Sequence, residues 1–245
     1  ALMTGARASQ AVSQGERLSS LTAGAQSIAA QEHASRLTKL QSLLQQRKVA
    51  AFLVEAGSSL EYFTGIRWWR SERTTAALIP ADGQVVVVTP FFEEPSIRES
   101  LKVSADVRPW NEDEGPFALI ASAVRDRKAA GPLAIEPTTR HFIVDNVGKE
   151  LGSAREVVSG ESLVNACRMI KSPAELALMQ AANEVTINAI RHCHASTSVG
   201  MMATDIRQVL YAKLEELGGM EPFALVLLNE ASAYPHGTEK PQAVR

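Results

Sequence analysis

Two short stretches of this chain combine residue types that could do chemistry. The first is Arg67-Trp68-Trp69-Arg70-Ser71-Glu72-Arg73. Two indoles among three guanidinium groups could stack on a ligand or on a nucleic acid base, because cations and planar bases are both attracted to aromatic faces. A plainer reading sends one tryptophan into the core and leaves the charges to solvate a loop. The second stretch is Tyr234-Pro235-His236-Gly237-Thr238. A histidine between proline and glycine lies on a constrained turn with its ring accessible. Imidazole titrates near neutrality and can donate to an oxyanion developing on a substrate. Here too the plainer reading is an exposed loop histidine without a role.

Other catalytic patterns fail. There is no Walker A loop, no GxGxxG and no HExxH. Gly160-Glu161-Ser162-Leu163-Val164 begins like a nucleophile elbow but lacks the second glycine. His192-Cys193-His194 resembles a metal cluster only until it is placed on a helix. Residues two apart there point roughly 200° from one another, so the two rings cannot share an ion. The sequence instead predicts a partly exposed helix end with one buried Cys. Asp82, Asp106, Asp113, Asp126, Asp145 and Asp205 are scattered without metal-ligand spacing. Cys167 and Cys193 form no CxxC pair and read as free, largely buried thiols.

The elements that must carry these stretches belong to an ordinary globular protein. The chain has 245 residues, 45% of them hydrophobic and 21% charged, and a formal charge of −2. That balance argues against disorder and supplies no basic field for nucleic acid phosphates. No apolar run approaches the ~20 residues that a membrane-spanning helix needs. Leu37, Leu40 and Leu44 recur at helical spacing and predict an amphipathic helix over Glu32 to Lys48. Ala51 to Val54 reads as a buried strand and Gly57-Ser58-Ser59 as a loop. Thr75 to Pro80 and Val85 to Thr89 flank Asp82-Gly83, which is a strong hairpin signal.

Alternation continues with helix over Phe91 to Leu101, strand over Val103 to Val107 and helix over Phe117 to Arg127. Strand over Leu133 to Glu136, helix over Thr139 to Leu151 and strand over Arg155 to Val158 follow. Such alternation predicts a layered α/β domain, and the antiparallel hairpin makes its sheet mixed. Ser172-Pro173-Ala174-Glu175 is a capping box with proline at the first helical position, opening a helix to about His194. A second helix over Thr204 to Leu217 stops at Gly218-Gly219. Leu225 to Leu228 reads as a short strand and the polar remainder to Arg245 as loop. The domains expected are a flexible arm over 1–31, an α/β domain over 32–163 and a helix-rich segment over 164–245. Two helices and a strand leave an apolar face to be covered, so this segment is expected to be the first part of a larger domain.

Arg168-Met169-Ile170-Lys171-Ser172-Pro173-Ala174-Glu175, with Met179 and Ala182 on the helix that follows, resembles the opening of the catalytic domain in the creatinase/aminopeptidase P/prolidase family, the "pita-bread" metallopeptidases. Tyr62-Phe63-Thr64-Gly65, Leu78-Ile79-Pro80 with Asp82-Gly83, and Ala231-Ser232-Ala233-Tyr234-Pro235-His236-Gly237 resemble further family elements in the same order. The Trp-Trp-Arg-Ser-Glu-Arg stretch resembles the bacterial Xaa-Pro dipeptidase branch. The resemblance runs from about Ala34 to the C-terminus.

It implies a creatinase-type mixed α/β N-terminal domain followed by the incomplete start of an α+β pita-bread catalytic domain. The implied reaction is hydrolysis of the peptide bond before proline by a hydroxide held between two divalent ions, most commonly Mn²⁺. His236 matches the family histidine that contacts substrate and steadies the tetrahedral intermediate. Trp68, Trp69 and Tyr234 are the further substrate-binding candidates, the tryptophan loop reaching toward a neighbouring subunit's pocket. The implied partners are a proline-containing dipeptide or short peptide, the remaining C-terminal part of the catalytic domain and a second copy in a homodimer, with no nucleic acid and no membrane. The two Asp, one His and two Glu that would hold the metals are expected beyond Arg245, so no metal is assigned to this chain alone. A parent enzyme cut after Arg245, its two pieces staying associated, is one expectation that follows. The compartment expected is the cytoplasm, or the periplasm or exterior where the N-terminus is a processed one. A non-catalytic peptide- or protein-binding relative and a creatinase-like C–N hydrolase are the alternatives.

Overall fold

A computed structural model describes residues 21–127, 130–220 and 222–245. The chain divides into two compact units, Ile28–Lys171 and a second built from Ser172–Arg245 with the described residues 21–27. Of the arm expected over 1–31, residues 1–20 lie outside the described residues.

The first unit is a six-stranded mixed sheet with helices on both faces. Its elements are α1 (Ala30–Gln46), β1 (Ala51–Glu55), α2 (Ser58–Thr64), β2 (Ala76–Pro80), β3 (Val85–Pro90), α3 (Glu94–Ser100), β4 (Ala105–Trp110), α4 (Phe117–Asp126), β5 (Leu133–Ile135), α5 (His141–Leu151), β6 (Val157–Ser159) and α6 (Glu161–Arg168). The strand order is β4-β3-β2-β1-β5-β6. β1, β2 and β3 run antiparallel, while β4, β5 and β6 add in parallel at the flanks. Asp82-Gly83 turns the β2–β3 hairpin, with Leu78 opposite Val86. The mixed α/β sheet read from the sequence is therefore the observed one.

Side chains alternate across a strand, so each central strand feeds two cores. Phe52, Val54, Ile79 and Val87 pack on one face with Leu40 and Leu44 of α1, Phe63 of α2 and Leu163 and Cys167 of α6. Leu53, Leu78, Val86 and Val88 pack on the other with Ile120 and Val124 of α4 and Ile143 and Val147 of α5. Gly160 allows α6 its approach, since a Cβ there would lie 2.4 Å from Phe52 Cε2. Burial raises the pKa of the Cys167 thiol and keeps it protonated and inert.

Three readings of the sequence need correction here. Ser58 and Ser59 are not loop but the first turn of α2. Gly57 at φ +137° turns the chain directly from β1 into that helix. The helix over Phe91 to Leu101 begins only at Glu94, because Pro95 fits the first turn, where no N–H is needed. β4 continues to Trp110, whose ladder partner is Pro90.

In the second unit, α7 (Pro173–Ser196) and α8 (Ala203–Glu216) lie against each other. The capping box is formed: Ser172 Oγ accepts the Glu175 N–H at 3.2 Å, and the Glu175 carboxylate accepts the Ser172 N–H at 2.8 Å. Gly218 at φ +89° ends α8 as expected. Val185, Ala189 and Leu217 form the core, with Leu21, Leu210 and Leu214 around it. Leu176, Met179, Ile187 and Ile190 of α7 are exposed. The strand expected over Leu225 to Leu228 does not form. A strand exists only through a ladder, and no described residue pairs with this segment as a strand. The tail does find a partner: Ala243 bridges Met202, and Val244 exchanges backbone hydrogen bonds with Gly200 and Met201.

His33 of α1 meets the Tyr62 carbonyl of α2 through Nδ1 at 3.0 Å, and Arg36 donates to the same oxygen at 3.1 Å. Burial, foremost, lowers the His33 pKa below the ordinary histidine value, so the folded chain holds the ring neutral. The unfolded chain then binds the proton more readily. This contribution to stability is complete above the unfolded histidine value, about 6.5, and is lost as the pH falls through the lower folded value. Urea unfolding between pH 7.5 and 5 should show stability falling with acid, and His33→Gln should make that fall shallower.

Candidate functional site

The tryptophan stretch lies in the connection from α2 to β2, residues 65–75. α2 ends at Gly65 in the left-handed region, φ +80°. Trp68 lies against the core and donates from Nε1 to Glu93 at 3.2 Å. Thr75 donates to the same carboxylate at 3.0 Å. Trp69, the next residue, is 72% exposed. One indole joins the core, as the plainer reading has it, and the other stands out.

Three arginines fasten the loop. Arg70 donates to the Ala56 carbonyl at 3.1 Å and to Thr138 Oγ1 at 2.6 Å, and lies 3.5 Å from Glu55. Arg73 is ion-paired with Glu72 and Glu112 and covers the Phe92 ring at 5.3 Å. The Glu112 hydrogen bond raises its pKa further, so it is always charged. Arg140, which caps α5, holds Glu55 through Nε at 2.6 Å and through its backbone N–H at 3.1 Å. The same guanidinium donates to the carbonyls of Ser71 at 2.5 Å and Arg73 at 3.5 Å. Glu55 closes the apolar strand β1, and its side chain is 1% exposed.

A second buried carboxylate, Glu136, follows β5 in the same way. It accepts from Ser59 Oγ at 3.2 Å, Thr138 N–H at 2.8 Å and Thr138 Oγ1 at 2.6 Å. Arg168 of α6 reaches Ser59 Oγ at 2.8 Å. This polar layer at the ends of β1 and β5 is not visible as a motif. Its sequence signal is only an acidic residue directly after each short apolar run, Glu55 after Ala51 to Val54 and Glu136 after Leu133 to Ile135.

The histidine stretch belongs to the second unit. A 3₁₀ turn over Asn229–Ala233 leads into it, starting from Asn229 in the left-handed region, φ +51°. Tyr234 accepts the Gly237 N–H at 3.1 Å, and Gly237 adopts φ +87°. The turn so made presents Tyr234 and His236 together at the surface. Its base is fixed by Gln242, which accepts the Leu228 N–H at 2.7 Å, and by Asn229, which donates to the Ala243 carbonyl at 2.8 Å. Tyr234 and His236 thus share one loop of the second unit, and Trp68 and Trp69 one loop of the first. His192 and His194 are exposed on either side of the buried Cys193, as helical geometry requires. Among the described residues no group of three or more His, Cys, Asp or Glu is placed to hold a metal ion. No helix among them is long and apolar enough to cross a membrane.

The creatinase/prolidase N-terminal domain matches residues 36–170. An uncharacterized peptidase of Schizosaccharomyces pombe is 30% identical over 227 residues, covering 86% of this chain and 49% of that protein. A probable dipeptidase PepE of Mycobacterium tuberculosis is 23% identical over 228 residues, covering 88% and 56%. Among solved structures, dipeptidase PepE from Mycobacterium ulcerans superposes with a TM-score of 0.74 at 22% identity, over 90% of this chain and 59% of that one. The Xaa-Pro dipeptidase from Bacillus anthracis gives 0.71 at 17% identity, over 86% and 57%. These structural likenesses show the fold. The chain spans about half the length of the curated relatives it matches. With more than half of its residues in the matched domain and that domain's mixed sheet formed, the chain belongs to the creatinase/prolidase N-terminal domain family.

Proposed function

We propose that this chain is the N-terminal portion of a metal-dependent Xaa-Pro dipeptidase or aminopeptidase, a prolidase-like hydrolase of the peptide bond before proline. One observation carries the reading. The likeness to relatives named as peptidases and dipeptidases does not stop where the N-terminal domain match ends at residue 170 but extends over 86% to 88% of the chain. The second unit therefore belongs to the comparison as well, and it holds the histidine loop.

In this reading His236 is the catalytic residue of the chain. An imidazole N–H donates to the carbonyl oxygen of the scissile bond as negative charge develops on it, which lowers the barrier. Tyr234 contacts the substrate from the histidine loop, Trp69 reaches the substrate pocket of a neighbouring subunit, and Trp68 packs on the core and fixes the tryptophan loop. The two divalent ions that the family resemblance implies, Mn²⁺ foremost, do not fit the donors of this chain, because the described residues form no ligating cluster. No catalytic step of this chain is routed through them, and their ligands are assigned to the remaining C-terminal part of the catalytic domain. The exposed apolar residues Leu176, Met179, Ile187 and Ile190 of α7 offer that part a surface to cover. A homodimer of the assembled enzyme completes the proposal.

The test is hydrolysis of Xaa-Pro dipeptides by the full-length enzyme with added Mn²⁺. A creatinase-like C–N hydrolase would leave such dipeptides intact while cleaving a non-peptide C–N bond. A binding relative would hydrolyse neither. Intact masses of all polypeptides in a denatured sample would show whether a second piece beginning just after Arg245 accompanies this chain.

Two substitutions separate the roles. His236→Ala should lower turnover by about 10²-fold or more with metal content unchanged, the size of effect seen when an oxyanion donor is removed. Unchanged turnover would take His236 out of the mechanism. Trp69→Ala should weaken substrate binding while moving stability by no more than about 0.5 kcal/mol, as for other exposed sites. Trp68→Ala should instead cost roughly 2–4 kcal/mol in urea unfolding, through lost packing and the lost bond to Glu93.

A further inference from the structure

An exposed tryptophan is useful to a ligand only if its position is defined before the ligand arrives. A side chain on a loose loop must be ordered on binding, and that ordering subtracts from affinity. The loop bearing Trp69 is short of regular structure but rich in fastenings. Neighbouring Trp68 is held by Glu93 and Arg70 by Ala56, Thr138 and Glu55. The carbonyls of Ser71 and Arg73 are both held by Arg140. Two of these fastenings converge on one group. Glu55 is the last residue of a strand buried on both faces, and its carboxylate is met by Arg70 from the loop and by Arg140 from the start of α5. Thr138, which takes the other end of Arg70, is itself fixed by Glu136.

We infer that Glu55 and Arg140 are positioning residues: the buried carboxylate aims the Arg140 fork at the loop backbone, and together they hold residues 69–73 so that Trp69 stands ready for substrate. The inference rests on the reading of the chain as part of an Xaa-Pro peptidase. The geometry suits the task. A charge buried at the end of a rigid strand is a fixed point. Arginine, unlike lysine, can hold a carboxylate and two carbonyls at once through its planar set of donors. Neither residue touches substrate in this arrangement, and both act through the loop.

The test labels the 245-residue chain with 5-fluorotryptophan. Its three tryptophans give three fluorine resonances, assigned by replacing each with Phe. Far-UV circular dichroism reports whether the fold survives, because Trp110, buried in the opposite core, itself donates to the Thr74 carbonyl of the same loop. In Arg140→Lys the charge stays but the fork is gone. In Glu55→Gln the anchor charge is gone. Either variant should move the Trp69 resonance toward its position in the unfolded chain while the circular dichroism is unchanged. Should Glu55→Gln unfold the chain, Arg140→Lys alone decides. In the full-length enzyme Arg140→Lys should raise KM for an Xaa-Pro dipeptide about 10-fold with kcat within about 2-fold, the signature of lost uniform binding. A Trp69 resonance that stays in place in Arg140→Lys overturns the inference. So does a resonance that moves while KM is unchanged, since the clamp would then be structural only. If the unsubstituted enzyme cleaves no Xaa-Pro dipeptide, the functional reading fails and with it the substrate role. The fluorine resonances, which need no substrate, would still decide whether Glu55 and Arg140 hold the loop.

Discussion

Strand β1 is buried on both faces, and most of the first unit follows from that constraint. Its first four residues, Ala51, Phe52, Leu53 and Val54, alternate between the two cores, so helices must cover the sheet on either side. Strands so placed must also pair on both edges. β1 does so in two senses, antiparallel to β2 and parallel to β5. On the antiparallel side the chain passes through α2 and the loop of residues 65–75 to reach β2, whereas the parallel side needs the longer crossover from β2 to α4 before β5. The mixed sheet is the result of serving both edges of one strand.

The same constraint creates the polar layer. A strand buried throughout has to leave the core somewhere, and β1 leaves it at a carboxylate. An unpaired buried charge is severely unfavourable, so Glu55 must be met by donors at fixed positions. Arg70 and Arg140 supply them, and each is itself tethered to backbone carbonyls. The loop of residues 65–75 is thereby ordered by a requirement of the core, not by its own propensity. Order in that loop, and the outward position of Trp69, are downstream of the burial of β1.

What could be read from sequence was whatever is encoded locally. The Asp82-Gly83 hairpin, the amphipathic helix through Leu40 and Leu44, the Ser172–Glu175 capping box and the glycine stop after α8 all depend on residues within a few positions of one another. Their side chains decide the local backbone almost unaided. The first turn of α2 was hidden because Gly-Ser-Ser has the composition of a loop. It forms because Phe63 and Leu60 find a core to pack against, a tertiary effect. The strand expected at Leu225 to Leu228 failed for the converse reason: apolar residues confer the propensity, but a ladder needs a partner. The Glu55–Arg140 contact spans 85 positions and involves residue types that occur throughout any surface. No spacing rule could have found it. Of the candidate site, the indoles and the histidine were legible as unusual residues, while the groups that hold them were not.

The two units rest on different physics. The first closes two cores around its sheet, and its candidate residue Trp69 is exposed only because everything near it is fastened. In the second, Val185, Ala189 and Leu217 form the buried cluster among the described residues, while α7 leaves Leu176, Met179, Ile187 and Ile190 in contact with solvent. Helices in proteins owe most of their stability to packing of an apolar face, not to propensity. The cap at Ser172 and the return of the tail onto Met202 fix the ends and loops of this unit, but neither covers that face. The turn that presents His236 is held by the backbone conformations of Asn229 and Gly237 and by the side-chain hydrogen bonds of Asn229 and Gln242. A histidine so held has a defined place on its own loop, set by groups within the second unit and independent of any covering of α7.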